Sequence, residues 1–212
     1  MQPINNEYSI VVLGAWNPSI FSPEWIKKFL VNIEEGEEIE IAFPLDDATA
    51  PRKISFKEIS IFPGRKKMDL IPIVPSKDNL EFCQSILVTL FNILPHTPVS
   101  GFGINFGFLE SNLSTELTNL FELSDENSLI DNYVPKGTSI SRNIVKEGQN
   151  YIINLTLSEA NGNVSIKINF HFNIASTEEC REILETGAVE NCFNETLELL
   201  ETVYGITIEQ TN

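Results

Sequence analysis

Two histidines, His96 and His171, and three cysteines, Cys83, Cys180 and Cys192, are the residues from which nucleophilic, acid–base or zinc chemistry would most readily be built. A structural zinc site needs thiolates or imidazoles at short fixed spacings, and no CxxC or Cys/His spacing occurs here. The cysteines are odd in number, far apart, and each sits in a helical pattern, which reads as buried reduced thiols acting as small hydrophobes. His96 belongs to the rigid loop Pro95-His96-Thr97-Pro98, and His171 has no acid or nucleophile beside it in sequence. The acids Glu34, Glu35, Glu37, Glu38 and Glu40, followed by Asp46 and Asp47, lack the ligand spacing and central glycine of a calcium loop. They read as a solvated turn. The sequence therefore assigns no catalytic residue, no metal ligand and no cofactor.

Three other constellations are candidates for binding. Gly101-Phe102-Gly103-Ile104-Asn105-Phe106-Gly107-Phe108 places four large apolar groups on one face of a strand. Gly101, Gly103, Asn105 and Gly107 fall on the other face. A bare glycine face lets a ligand or a second backbone approach closely, and it also suits a strongly twisted strand or one crossed by a helix. Its GxGxxxG spacing is not that of a dinucleotide fingerprint. The segment Ile166 to Asn173 alternates equally cleanly, with Lys167, Asn169, His171 and Asn173 on its polar side. Asn154 and Thr156 of the preceding strand offer a comparable polar face, so the pair forms either a hydrogen-bonding platform or an ordinary solvated sheet face. The third constellation is basic: Arg52, Lys53, Lys57, Arg65, Lys66 and Lys67 fall on one hairpin. Arg65, Lys66 and Lys67 would meet an acidic partner or the acidic half of a second copy, or else guard an edge strand.

These residues need elements to position them. Tyr8 to Leu13 reads as a buried strand. Ser22-Pro23-Glu24 opens a helix carrying Trp25, Ile26, Phe29, Leu30 and Ile33. Ile39, Ile41 and Phe43 alternate as a strand. The parity of apolar residues changes between Ile54, Phe56 and Ile59, Ile61, as a bulge near Lys57–Glu58 would cause. Lys67 to Val74 returns after Pro63-Gly64, and Pro72 predicts that it lies at a sheet edge. Ser76 to Leu94 is a helix apolar nearly all round, and Val99 to Leu109 is the glycine-bearing strand. Ser114 caps a short helix bearing Leu117, Leu120 and Phe121. Strands follow over 138–145, 151–157 and 164–172, the last two joined through Asn161-Gly162. Ser176-Thr177-Glu178-Glu179 opens a long helix to Val203, kinked at Gly187, and Ile206 to Ile208 adds a short strand.

Both parts of the chain thus read helix, three strands, helix, strand. The expected fold class is α+β, with mainly antiparallel sheet in two similar halves or layers, 1–110 and 111–212, or one continuous domain. Charge is uneven between them. The chain has a net charge of −16 over 212 residues; residues 1–109 hold 13 acids and 9 bases, and residues 110–212 hold 17 acids and 5 bases. Such a surface repels phosphate backbones and anionic headgroups, so neither nucleic acid nor membrane is an expected partner. The longest apolar stretch, Phe82 to Leu94, falls short of the roughly 20 residues that span a bilayer. Met1 to Tyr8 lacks the basic start of a secretory signal, which makes the expected location cytoplasmic. The triplets at Asn112, Asn154, Asn163 and Asn194 then read as chance rather than as glycosylation sites.

Asn17-Pro18 before the first helix, Gly103-Ile104-Asn105-Phe106 at mid-chain and the stretch Phe193 to Tyr204 together resemble a sporadically distributed family of uncharacterised bacterial cytosolic proteins. The chain departs from that pattern in two places: its Asn-Pro follows the first strand, and the basic residue of the middle strand is missing. The resemblance implies nothing catalytic. The function expected is that of a non-enzymatic binding or accessory protein, acting through a protein partner or self-association. An acidic inhibitor that mimics nucleic acid, and an enzyme whose polar groups assemble only in the fold, are the alternatives.

Overall fold

Residues 99–110 form a twelve-residue interior strand of one large antiparallel sheet. The structure is a computed structural model; it describes every residue except 35, 46–49, 112, 123–135 and 207–212. The strands are β1 (Gln2–Pro3), β2 (Ser9–Gly14), β3 (Glu40–Ala42), β4 (Lys53–Phe56), β5 (Ile59–Pro63) and β6 (Lys67–Pro72). They continue as β7 (Val99–Glu110), β8 (Thr138–Ile144), β9 (Tyr151–Ala160) and β10 (Asn163–Asn173). Their order across the sheet is β3-β4-β5-β6-β2-β7-β10-β9-β8, with β1 beside the far end of β7. The α+β class and the antiparallel pairing are as expected. Instead of two layers there is a single sheet, continuous across residue 110, because β7 pairs with β10 over Gly101–Glu110.

Helix α1 (Pro23–Trp25, continuing as a π turn over Ile26–Leu30) is shorter than its apolar spacing predicts. Helix α2 (Lys77–Ile93) is followed by α3 (Thr115–Asn119), α4 (Thr177–Glu185) and α5 (Ala188–Tyr204). The caps follow local chemistry. Ser76, Ser114 and Ser176 each accept a backbone N–H from three residues on. Gly187 does not kink one long helix; it ends one and precedes another. At φ +78° it takes the left-handed conformation that stops a helix, and its N–H closes back onto Leu184. Gly205, at φ +64°, ends α5 in the same conformation, with Ile206 N–H bonded to Leu200 O. Of the strand expected at Ile206–Ile208, Ile206 is not in a strand and the rest lies outside the described residues.

Two further expectations are corrected. The parity change at Lys57–Glu58 is a tight reversal: Phe56 pairs with Ile59 and Ile54 with Ile61, and Lys57 sits at φ +48°. A two-residue turn returns the side chains to the same face, which in sequence looks like a bulge. Strand β6 is interior, between β5 and β2, in spite of Pro72. Proline is tolerated because the last β2 pair is Ile10 with Leu70, so no ladder bond is asked of it. The hairpin at Asn161-Gly162 is as expected, with φ +54° and +74°.

Helices α2, α4 and α5 cover one face of the sheet. Phe102, Ile104, Phe106 and Phe108 of β7 point there, all buried, with Ile166, Ile168, Phe170 and Phe172 beside them from β10. Phe106 meets Tyr8 at 5.4 Å and Phe193 of α5 at 5.5 Å, both edge-on, while Phe102 stacks on Phe172 at 4.4 Å. The other face is open: its strand side chains are mostly half-buried or exposed. Truncating Phe106 to Ala removes the ring that joins strand, N-terminal segment and α5. It is expected to cost about 3–5 kcal/mol, read as a lowered urea midpoint with unchanged slope.

Candidate functional site

Antiparallel neighbours that stand directly opposite share a face, so register decides which polar groups meet. On the open face, Asn143 of β8 stands opposite Asn154 of β9, which stands opposite Asn169 of β10. Asn169 in turn faces Asn105 of β7, and Asn105 faces Ser9 of β2. Adjacent strands lie about 4.8 Å apart, which one carboxamide spans. Asn143 Nδ2 donates to Asn154 Oδ1 at 2.5 Å, and Asn154 Nδ2 to Asn169 Oδ1 at 2.8 Å. Asn169 Nδ2 donates to Asn105 Oδ1 at 2.8 Å, and Asn105 Nδ2 to Ser9 Oγ at 3.0 Å. Every amide donates in the same direction. Hydroxyl pairs flank this row, Ser141 with Thr156 at 3.2 Å and Ser139 with Ser158 at 2.9 Å.

The glycines of β7 make room for this row. A Cβ on Gly103 would lie 2.5 Å from Asn169 Nδ2, and one on Gly101 would lie 3.3 Å from the His171 ring. A Cβ on Gly107 would run into Glu7 Cβ, because the segment that joins β1 to β2 along one edge of the strand bulges over Gly107 at Glu7, with Ile4 N–H bonded to Gly107 O at 2.9 Å. The surface against the glycines is thus the chain's own, namely Glu7, Asn169 and His171. Glu7 forms an ion pair with Lys167 over the same spot.

The structure brings Gly101, Gly103, Asn105, Asn154, Asn169 and His171 together on the open face. His171 is half-buried there, with Nε2 3.2 Å from Asn173 Oδ1. The basic residues are divided. Arg52 turns inward and donates to Pro18 O at 2.6 Å and Phe21 O at 3.0 Å, and Lys57 lies at the other end of its hairpin, 3.8 Å from Glu37. Arg65 and Lys66 have exposed side chains in the β5–β6 loop, while their carbonyls accept from Trp16 and Gly14. Lys67 lies on the open face and donates to Asp69 Oδ2 at 2.8 Å. Of the acidic run, Glu35, Asp46 and Asp47 lie outside the described residues, as does Asn112.

Sequence reasoning missed both ends of the row, Asn143 and Ser9. Asn143 has the right parity for the polar face, but its partner depends on the length of the β8–β9 loop. It also missed a cleft of about 610 Å³ between Tyr151, Phe172, Glu182, Asn191, Cys192 and Glu195. Burial, with Glu195 next, pushes the Tyr151 hydroxyl up, and Lys146 pairs with Glu195 and Glu198 beside it. Burial likewise pushes up the thiols of Cys83, Cys180 and Cys192, all reduced, so they stay protonated. Among the described residues no three His, Cys, Asp or Glu side chains converge as a metal site would, and no helix is long and apolar enough to cross a membrane. Compared with known proteins, the chain matches no family model and no curated protein.

The packing of Asn169 over Gly103 has a measurable consequence. Gly103→Val is expected to lower stability by roughly 1–3 kcal/mol, and Gly103→Ala by less. In the Asn169→Ala background, Gly103→Ala should cost little, because the displaced amide is gone. A double-mutant cycle by denaturant melts checks this, and strict additivity refutes the coupling. Asn169→Asp probes the direction of the row. A carboxylate accepts from Asn154 yet cannot donate to Asn105 Oδ1, whereas the protonated acid can. The folded state therefore raises this carboxyl above its unfolded value near 4. The destabilisation should be full above the folded pKa and shrink as pH falls through it, measured against the original chain at each pH.

Proposed function

We propose that this chain is a non-enzymatic binding protein that engages a protein partner through the open face of its sheet. The observation that carries the reading is where the charge is. Helices α4 and α5 hold Glu178, Glu179, Glu182, Glu185, Glu190, Glu195, Glu198 and Glu201 against Arg181 alone. The open face holds Lys53, Lys67 and Lys167 against Glu40, Asp69 and Glu7, the last packed over Gly107. A chain of net charge −16 thus keeps its excess off one face, and that face offers amides, hydroxyls and the apolar Val11, Leu13, Phe62 and Ile71. Charge depletion with mixed apolar and hydrogen-bonding groups is the composition of an interface core. Nine strands at about 4.8 Å spacing and roughly 17 Å of length give on the order of 700 Å², close to the roughly 800 Å² each partner contributes to a stable complex. The nucleic-acid mimic is less well supported, since Glu185, Glu190, Glu195 and Glu198 all have cationic partners.

We also infer an internal duplication. Strand β2 leads through α1 and the short extra strand β3 to the run β4-β5-β6 and then α2, and β7 leads through α3 to β8-β9-β10 and then α4. In each set the first strand pairs with the last, β2 with β6 and β7 with β10, and the sets meet at β2–β7. The repeating unit begins one strand earlier than the order of elements in the sequence suggests.

Tagged protein carrying Ile71→Lys or Thr156→Lys on the open face is compared with Glu182→Lys on α4, each purified from its native source. A partner that copurifies with the original chain should fall at least tenfold with both open-face variants and persist with Glu182→Lys. Retention by the open-face variants, with folding verified by circular dichroism, overturns the reading.

A further inference from the structure

The asparagine row is open at one end. All its amides donate toward β2, so the carboxamide oxygen without a donor among the described residues is Asn143 Oδ1, on β8 at the border of the sheet. Aligned amides polarise one another, which makes that terminal oxygen a better acceptor than an isolated one. Among the described residues β8 pairs with β9 alone. Over Thr138–Ile144 it has no proline, no lysine and no shift of register, the usual protections of an edge strand. Its one charge, Arg142, stands opposite Leu155 on the helix-bearing face.

We propose that β8 pairs antiparallel with β8 of a second copy, about a two-fold axis at Ser141, joining two sheets edge to edge. The sequence of β8 is self-complementary in that register. Asn143 meets Ser139 of the second copy, whose hydroxyl donates to the waiting Oδ1, and Ser141 meets Ser141. On the other face Arg142 meets Ile140. Moving the axis to residue 142 sets Arg142 against Arg142, which like-charge repulsion disfavours. Moving it to residue 140 sets Asn143 against Gly137 and leaves the oxygen without a donor. The same two-fold brings Lys136, just before β8, toward Lys146 of the second copy, just after it, so like charges beside the strand oppose the contact and salt relieves them.

One seven-residue strand per copy is a small interface, so the dimer is a weak one. Salt should strengthen it by screening the net charge. Sedimentation velocity of the full chain, from low to high micromolar concentration, is expected to show reversible dimer formation that increases with salt. Ser141→Lys should abolish it without lowering the melting temperature. Ser141→Cys tests the register directly, because paired residues bring their Cβ atoms to about 5 Å. Mild oxidation should give a covalent dimer with Ser141→Cys, none with Ser139→Cys alone, and a dimer again when Ser139→Cys is combined with Asn143→Cys. The native cysteines, at most 1% exposed, stay silent. A monomer at all concentrations with no cross-link overturns the proposal. So does a dimer indifferent to Ser141→Lys, or equal cross-linking by Ser139→Cys. If Ser141→Lys unfolds, the cross-linking series decides alone.

Discussion

An extended strand sends successive side chains to opposite faces, and β7 obeys that alternation over its whole length. It sets the two sides of the molecule at once. Phe102, Ile104, Phe106 and Phe108 bury one face under helices, while Gly101, Gly103, Asn105 and Gly107 thin the other. A slip of one residue would turn four large apolar groups to solvent and glycines to the core, so the register with β2 and β10 is held by burial rather than by individual hydrogen bonds. Because β7 joins β2 to β10, that register propagates outward to β8 on one side and β3 on the other.

The asparagine row is a consequence of this geometry. A carboxamide carries donor and acceptor together, so identical residues at strand spacing satisfy each other in sequence. The same arrangement stabilises stacked Asn ladders between chains; here it runs across one chain and is half-exposed. Each bond contributes on the order of 1 kcal/mol net, which is modest beside the aromatic core. Its larger effect is on the surface: five strands present a patterned array of amides and hydroxyls that no charged side chain interrupts along the row. Gly103 is part of that pattern, since a Cβ there would displace the Asn169 amide.

The two faces differ in field as well as in shape. Glutamates on α4 and α5 make the helical side strongly negative, and ion pairs with Lys77, Lys146 and Arg181 offset only part of it. These exposed pairs add little stability. They leave a molecule strongly negative on its helical side and nearly neutral on the open face of the sheet.

Local chemistry is what the sequence by itself determined. Serine caps at 76, 114 and 176, the Asn161-Gly162 hairpin, the two-faced strands at 99–110 and 163–173 and the buried thiols all follow from interactions within a few residues. Asn154, Asn169 and His171 were recognisable as one polar face, and Asn105 as part of a separate glycine face, because parity is a local property; that the two are continuous depends on the pairing of β7 with β10. Strand order was not recognisable. That Pro72 sits in an interior strand and that Asn143 completes a row with Ser9 depend on pairings between residues up to about a hundred positions apart. Such pairings are chosen by how the whole apolar surface is buried in one sheet, an energy to which every strand contributes and which no short stretch of sequence contains.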